Sequence, residues 1–219
     1  MIKYGPSEDA ASGKTGSGIF ASSGAAAAPL PVEFFNRPAE RVARELLGAL
    51  LVAGEGPLRC AAEIVETEAY AGPEDEASHA HIRFGVTPRN TVMFGAPGLA
   101  YIYLIYGIHW CLNAVTGEIG FPAAVLIRAA RPMEGIELMR ARRPGRPDRD
   151  LLRGPGNLTR ALAMDGSLNG HPLSRAPLQL MPGSPVAEER IRCGPRIGIS
   201  RAVDWPLRFR VADSPYVSR

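Results

Sequence analysis

Hydrophobic residues first follow the period of a helix. Across residues 38–52, in PAERVARELLGALLV, apolar side chains recur at the 3.6-residue spacing that puts them on one side of a helix. Pro38 suits the first turn, where its missing N–H costs nothing. The pattern predicts an amphipathic helix whose apolar face is made by Val42, Leu46, Leu47 and Leu50.

The spacing of polar and apolar positions then changes to two. In residues 62–70, AEIVETEAY, alternate side chains differ in character, which is typical of a strand with two unlike faces. One face of this predicted strand carries Ile64, Glu66, Glu68 and Tyr70. A carboxylate and a tyrosine two residues apart on one face could both line a pocket.

Later segments continue the alternation of strands with turns. The aromatic and β-branched run at residues 99–115 is interrupted by Gly107, which predicts a hairpin with Tyr106 and Gly107 at the turn. Further segments are predicted as a strand at 123–130, a short helix within 133–142, and a glycine-led helix at 154–164. Strands outnumber helices, and turns replace regular βαβ crossovers. We therefore expect an α+β domain with a curved, mainly antiparallel sheet, flanking helices and a protruding hairpin.

Composition limits the domain organisation and the protein class. Residues 1–29 are rich in Gly, Ser and Ala and predict a flexible tail, whereas residues 30–219 predict a single domain. No apolar run approaches the roughly 18 residues of a membrane span, and the N-terminus lacks the layout of a secretory signal. We expect an intracellular monomer, in a bacterial cytoplasm close to the nucleoid.

Charge is unevenly distributed, although the net charge is only +3. Residues 128–160 contain nine arginines and four acidic residues, whereas residues 63–76 contain six carboxylates and no basic residue. A basic segment beside an acidic one suits a protein that holds a polyanion next to a reaction site. A solvated, arginine-rich surface explains the basic segment equally well.

Two residue types narrow the possible chemistry. The only lysines are Lys3 and Lys14, both in the predicted tail, so we expect no Schiff-base chemistry through a side-chain amine in the domain. Three cysteines lie far apart without a CxxC pair, which favours free thiols over a disulfide framework or zinc site. Phosphate-binding loops, GxGxxG and GxSxG are absent as well. We expect no cofactor and no metal.

Three groups of residues are candidates for function. Glu68, flanked by Tyr70 and followed by His79, could be a general base, or the strand could be an exposed edge with charges in water. The aromatic residues Tyr101, Tyr103, Tyr106 and Trp110 could bind a ligand or could pack into the core. A metal site from His79, His81, His109 and Cys111 fits no common ligand spacing, so we discount it.

Several long blocks of the chain resemble a known family. EIVETEAYAGPEDEASH, TPRNTVMFGAPGLAYIYLIYGIHWCLNAV and AAVLIRAARPMEGIELM look like consecutive motifs of the alkyladenine (3-methyladenine) DNA glycosylases. GPGNLTRAL and PLRFRVADSPYVS continue the match in order, so the resemblance runs from about Val32 to the C-terminus. It implies a monofunctional enzyme of base excision repair that hydrolyses the N-glycosidic bond of alkylated or deaminated purines in duplex DNA.

The resemblance also implies roles for individual residues. Glu68 matches the general base that deprotonates the attacking water, and Arg128 matches an arginine near that water and the flipped nucleotide's phosphate. Ile197 matches the position whose backbone carbonyl helps to hold the water. Residues matching those that enclose the extruded base are Tyr70, His79 and Tyr103, with Asn113 crowding the place of a guanine amino group.

Contacts to the duplex are expected beyond the base pocket. Tyr106 matches the wedge that fills the gap left by the extruded base. Ile108 and His109, beside it, depart from the family pattern and are expected to contact the DNA, and Arg143 in the basic segment is a further candidate DNA contact. A non-enzymatic damage-binding protein and an RNA-binding module are the alternatives; neither would require the pocket glutamate Glu68.

Overall fold

Antiparallel strands form the framework of the protein. The computed structural model describes residues 28–218, so residues 1–27 of the expected tail lie outside the described residues. The strands are β1 (Leu50–Ala53), β2 (Cys60–Tyr70), β3 (Ala100–Ile105), β4 (His109–Thr116), β5 (Ala123–Glu134), β6 (Ser174–Arg175), β7 (Leu178–Met181), β8 (Ile191–Gly194) and β9 (Arg208–Val211). Their order is β3-β4-β5-β2-β1-β7-β6, and β9 pairs with both β2 and β8. The predicted α+β architecture with a curled, mainly antiparallel sheet is confirmed.

Four short α-helices flank the sheet within residues 28–218. They are α1 (Val32–Phe35), α2 (Ala39–Glu45), α3 (Ile136–Arg142) and α4 (Pro155–Ala161). Buried threonines join two of them to strands: Thr67 Oγ1 donates to the Ala43 carbonyl at 2.8 Å, and Thr159 Oγ1 donates to the Trp110 carbonyl at 2.9 Å. The helices α2 and α4 thereby lie against the strands that carry the site described below. Among residues 28–218, no helix is long and apolar enough to cross a membrane.

The first predicted helix is shorter than its sequence pattern suggests. Val42, Leu46 and Leu47 are buried as expected, but α2 ends at Glu45 and Leu50 begins the strand β1. The break lies at Gly48, which has a φ of +85°, and a Cβ there would lie 2.0 Å from the Ser184 carbonyl oxygen. The sheet captures Leu50 because backbone pairing on both sides satisfies its polar groups.

The long strand β2 is irregular where its acidic residues lie. Its pairing with β5 shifts register between Ile64 and Glu66 and again between Glu66 and Thr67. Ile64 packs in the main hydrophobic core, so the simple alternation predicted from Ile64 to Tyr70 does not hold through this bulge. The second shift leaves Arg128 of β5 without a Cα partner on β2, and its side chain contacts the carboxylates of Glu66 and Glu68.

The predicted hairpin is present and joins β3 to β4. Tyr106 and Gly107 occupy its turn with φ values of +54° and +70°. Two successive residues with positive φ match the strand twist of a tight hairpin, and the Ile108 N–H donates to the Ile105 carbonyl at 3.2 Å. The turn therefore projects the Tyr106 side chain from the end of the sheet, where it is 80% exposed.

Candidate active site

A cleft of about 590 Å³ opens beside β2, β3, β4 and β5. Its size lies within the range of small-molecule sites. Three further segments complete its wall: the loop after β2, the first turn of α4, and residues 197–201. Sequence-predicted site residues make up much of the lining, namely Tyr70, His79, Tyr103, Tyr106, His109, Asn113, Arg128 and Ile197.

Glu68 lies fully buried directly behind this wall. Its Oε1 accepts a hydrogen bond from the Ile197 backbone N–H at 2.7 Å. Its Oε2 accepts from Arg128 Nη1 at 3.1 Å and from the Tyr70 hydroxyl at 3.3 Å. All three donors line the cleft, so the carboxylate lies one contact away from it. The exposed edge strand considered from the sequence is therefore wrong for Glu68.

Burial sets the protonation behaviour of this carboxylate. Loss of water raises the pKa of Glu68, and the Arg128 charge and the Ile197 amide only partly offset that effect. Burial also raises the pKa of Tyr70, with a further contribution from the Glu68 charge, so its hydroxyl remains a donor. An ionised carboxylate with a raised pKa is a stronger base than an ordinary one, which suits it to accept a proton.

Arg128 connects two buried glutamates. Its Nη1 donates to Glu68, and its Nε donates to Glu66 Oε1 at 3.3 Å. Burial lowers the pKa of Arg128, but the charges of Glu68 and Glu66 outweigh burial and raise it. The guanidinium is therefore permanently charged at the cleft wall, and only 6% of the residue is exposed.

Aromatic rings form the wall on the β3 side. The rings of His79 and Tyr103 meet edge to face with centroids 4.5 Å apart, and Tyr101 and Tyr103 have centroids 5.3 Å apart. The hydroxyl of Tyr101 lies 3.0 Å from His79 Nδ1. Burial, with a smaller effect of the Arg89 charge, lowers the pKa of His79 to about 4. His79 is therefore neutral near pH 7, and it donates a hydrogen bond at one ring nitrogen and accepts at the other.

Asn113 is fixed at the floor of the cleft. Its Nδ2 donates to the Tyr101 carbonyl at 3.0 Å across the β3–β4 pair, and the residue is 2% exposed. Buried amides have little freedom to reorient because their partners would be lost. The side chain can therefore define the shape of the floor.

The hairpin tip and the first turn of α4 frame the mouth of the cleft. Ile108 beside Tyr106 is 71% exposed, and His109 lines the cleft itself. A Cβ on Gly156 of α4 would lie 2.9 Å from both Cβ and Cγ of His109, so the glycine permits this close approach. Exposed apolar side chains at a cleft mouth are typical of an interaction site.

A buried ion pair that the sequence did not indicate supports the same wall. Arg196 contacts Asp75 through Nη1 and, at 2.8 Å, through Nη2, and neither side chain is exposed. Arg196 also lies over the Tyr70 ring, 4.8 Å from its centroid, and it precedes Ile197. Asp75 and Arg196 thereby fix the loop that carries Ile197 and support the Tyr70 ring at the end of β2, which are two of the three donors to Glu68.

Two residues take positions that differ from the roles expected for them. Arg143 lies outside the cleft lining, directly after α3, and its Nη1 donates to the backbone carbonyls of Asp150 and Leu151 in the following turn. Ile197 contacts Glu68 through its amide N–H, whereas its carbonyl was the expected functional group. The roles expected for Arg143 in DNA contact and for the Ile197 carbonyl stay predictions.

The described residues show no built metal centre. Among residues 28–218, no group of three His, Cys, Asp or Glu side chains is placed to hold a metal ion. Cys111 lines the cleft, and burial raises the pKa of its thiol, which keeps it protonated and weakens it as a ligand.

Comparison with known proteins decides the family. The methylpurine-DNA glycosylase family profile matches residues 33–215, most of the chain. The chain belongs to this family. Relatives that carry the provisional name 3-methyladenine DNA glycosylase occur in Myxococcus xanthus, 50% identical over 194 residues, and in Carboxydothermus hydrogenoformans, 47% identical over 191 residues. The matches cover 87% of this chain in both cases, and 93% and 98% of the two relatives.

Membership of the methylpurine-DNA glycosylases confirms the resemblance inferred from the motif blocks. It makes the chain a DNA glycosylase, a hydrolase of DNA repair with DNA as its substrate. A third relative, from Methanocella arvoryzae, is 45% identical over 194 residues and carries the same provisional name. The cleft beside Glu68 is accordingly the candidate active site of this glycosylase.

Proposed function

We propose that this glycosylase excises alkylated and deaminated purines from duplex DNA, with Glu68 as the base that activates water. The proposed substrates are 3-methyladenine, the base in the relatives' names, together with 7-methylguanine, hypoxanthine and ethenoadenine. The observation that carries the proposal is one buried carboxylate, Glu68, whose three donors all line an aromatic cleft of about 590 Å³.

The substrate base must leave the duplex before it can enter the cleft. Unstacking a base costs a few kcal/mol, and an inserted aromatic side chain offsets part of that cost. Tyr106 at the exposed hairpin tip is the wedge, with Ile108 and His109 as neighbouring contacts to the duplex. Arg143 is proposed as a more distant contact to the backbone, where it would have to extend from its present partners.

Aromatic side chains then hold the extruded base. Tyr70, His79 and Tyr103 surround it, and stacking of this kind contributes roughly 1–3 kcal/mol per base while tolerating several base shapes. A ring-alkylated purine is cationic and gains further from electron-rich faces. Asn113, fixed at the floor, crowds the place where an undamaged guanine carries its amino group.

Hydrolysis needs one base and an activated leaving group. Water takes the place of the Tyr70 hydroxyl at Glu68 Oε2, since that contact is the longest of the three at 3.3 Å. Glu68 accepts a proton as the water oxygen bonds to C1′ of the sugar, and the C1′–N bond breaks with its electron pair going to the purine. Arg128 and the Ile197 carbonyl orient the water. A cationic alkylated purine leaves as a neutral base without a second carboxylic acid. A neutral purine such as hypoxanthine takes up one proton from solvent water as it leaves.

The product is an intact abasic site. Cleavage of the strand by a bifunctional glycosylase requires an amine that forms a Schiff base. Both lysines, Lys3 and Lys14, precede the part of the chain that the family profile matches. Water is therefore the nucleophile, and the enzyme acts as a monomer within the cell on the duplex alone, without a cofactor.

Release of the free base tests this proposal directly. Duplexes that carry hypoxanthine or 3-methyladenine are incubated with excess enzyme, and free base and strand breaks are measured separately. We expect base release with breaks appearing only after alkali, and no covalent adduct with borohydride. Tight lesion binding without release would favour a damage-binding protein, a borohydride adduct would refute the water mechanism, and preference for single-stranded RNA would refute the DNA substrate.

A further inference from the structure

A second glutamate beside Glu68 is buried as completely and is absent from the mechanism above. Glu66 has no exposed surface, and its carboxylate accepts from Arg208 Nε at 2.6 Å. Ser218 donates to it through its backbone N–H at 2.6 Å and its hydroxyl at 2.8 Å. Arg128 Nε is the fourth donor, at 3.3 Å. Such a group is expensive to bury unless it is fully paired, so its position is closely constrained.

Geometry makes Arg128 a bridge between the two carboxylates. The register shift after Glu66 leaves Arg128 of β5 without a Cα partner on β2, and Glu66 and Glu68 of β2 both lie on the side of its guanidinium. One end of the guanidinium, Nε, contacts Glu66, and the other, Nη1, contacts Glu68. The remaining nitrogen, Nη2, donates to the Ser218 hydroxyl at 3.4 Å. The two carboxylates therefore compete for a single positive charge.

We propose that Glu66 is a positioning residue. Held by Arg208 and Ser218, it sets how closely the Arg128 guanidinium approaches the Glu68 carboxylate during base excision. Arg208 and Ser218 also contact each other, because Arg208 Nη2 donates to the Ser218 carbonyl at 3.1 Å. When Glu66 pairs tightly with Arg208 and Ser218, it competes less for Arg128, and the Arg128 guanidinium interacts more strongly with Glu68. When that pairing is weaker, Arg128 moves from Glu68 towards Glu66. This inference rests on the proposed role of Glu68 as the base.

The charges around Glu68 determine whether a substitution raises or lowers the pKa of its carboxyl group. The Glu66 charge opposes ionisation of Glu68, whereas the Arg128 charge favours it. Other polar or titratable groups that face this region are Tyr70 on β2, Cys111 on β4, Arg208 on β9, and Arg196 and the Ile197 amide in the following loop. Removing the Glu66 charge lowers the pKa of Glu68, and removing the Arg208 charge raises it.

Two substitutions should therefore move the pH profile in opposite directions. Glu66→Gln frees Arg128 for Glu68, so the rising limb of the excision rate moves to lower pH. Arg208→Gln leaves Glu66 to compete for Arg128, so the limb moves to higher pH. Glu63→Gln is the matched control, since Glu63 also lies on β2 and pairs with Arg131 of β5, but outside the site.

The measurement is the single-turnover rate constant of base release against pH for wild type and the three variants. We expect the plateau rate of Glu66→Gln to fall about 10- to 100-fold, as is usual for a small displacement in an active site. Glu63→Gln should match wild type. Limbs that stay at the wild-type position, or that move in the same direction in both variants, would overturn the proposal.

Stability alone cannot produce this result. Loss of a structural contact lowers the melting temperature without shifting the limb, and it cannot shift two limbs in opposite directions. If Glu66→Gln does not fold, the Arg208→Gln profile alone decides, since the Arg208 side chain is 13% exposed and therefore less deeply buried than that of Glu66. A wild-type enzyme without base release would instead refute the proposed function.

Discussion

The buried ion pair of Asp75 and Arg196 gives a sharp prediction about stability. Both side chains are fully buried, and Arg196 contacts both carboxylate oxygens of Asp75. Asp75 also accepts from the backbone N–H groups of Ala71 at 3.2 Å and Ala77 at 3.1 Å. Substitution Asp75→Ala leaves all of these donors without the carboxylate, and Arg196 remains charged in the interior.

The expected loss is large because one partner stays behind. Breaking a buried pair costs about 3–5 kcal/mol, which for a protein of this size lowers the melting temperature by about 6–20 °C. The neighbouring Glu76 provides a matched control. Its Oε2 accepts from Nη1 of Arg201, in the loop that also carries Arg196, at 3.0 Å, but both side chains are half exposed. Glu76→Ala should cost no more than about 1 kcal/mol.

Thermal unfolding followed by circular dichroism, with urea unfolding as a second measure, compares these variants. Asp75→Ala and Glu76→Ala of equal stability would refute the reasoning. The double variant Asp75→Ala with Arg196→Met removes the stranded charge and should recover part of the loss. Since Arg196 precedes Ile197, Asp75→Ala should also slow base excision at temperatures where the variant is still folded.

Two further predictions concern the hairpin tip and the cleft wall. Tyr106→Ala should lower the single-turnover rate of base excision, most strongly where the lesion is well paired. Ile119, a comparably exposed apolar residue in the turn between β4 and β5, is the control, and Ile119→Ala should leave that rate unchanged. Equal rates for the two variants would count against the role of Tyr106 as the wedge. His79 has a pKa of about 4 against an ordinary 6.5, so unfolding is favoured as pH falls from about 6.5 towards 4, because the unfolded chain binds the proton first. Urea titrations should show a shallower acid loss of stability for His79→Gln, and an unchanged slope would contradict the burial of a neutral imidazole.

Sequence patterns predicted those elements whose conformation depends on neighbouring residues in the chain. The Tyr106–Gly107 pair gave the hairpin turn, because a glycine between two β-rich runs meets the need for positive φ. The glycine that leads the segment at 154–164 gave the start of α4, whose N-cap is Gly154. The helical period before Gly48 gave α2 but not its end, since the strand β1 that follows is stabilised by distant partners in β2 and β7.

Long-range pairing explains what the sequence did not show. Nothing near Asp75 indicates Arg196, which is 121 residues away, and no alternation pattern reveals the register shifts that turn Glu66 and Glu68 towards Arg128. Tyr101 was a candidate aromatic residue, but its contact with His79 depends on how the loop after β2 folds back. The motif blocks located much of the cleft lining because they carry information about the whole family.

Single-turnover release of hypoxanthine by wild type and Glu68→Gln tests the central claim most directly. The substitution keeps the shape of the side chain but removes its ability to accept the proton of water. We predict unchanged lesion binding, a wild-type rate that rises with pH through the raised pKa of Glu68, and no measurable release by Glu68→Gln. Equal release by both proteins would contradict the account, because another group would then have to be the base.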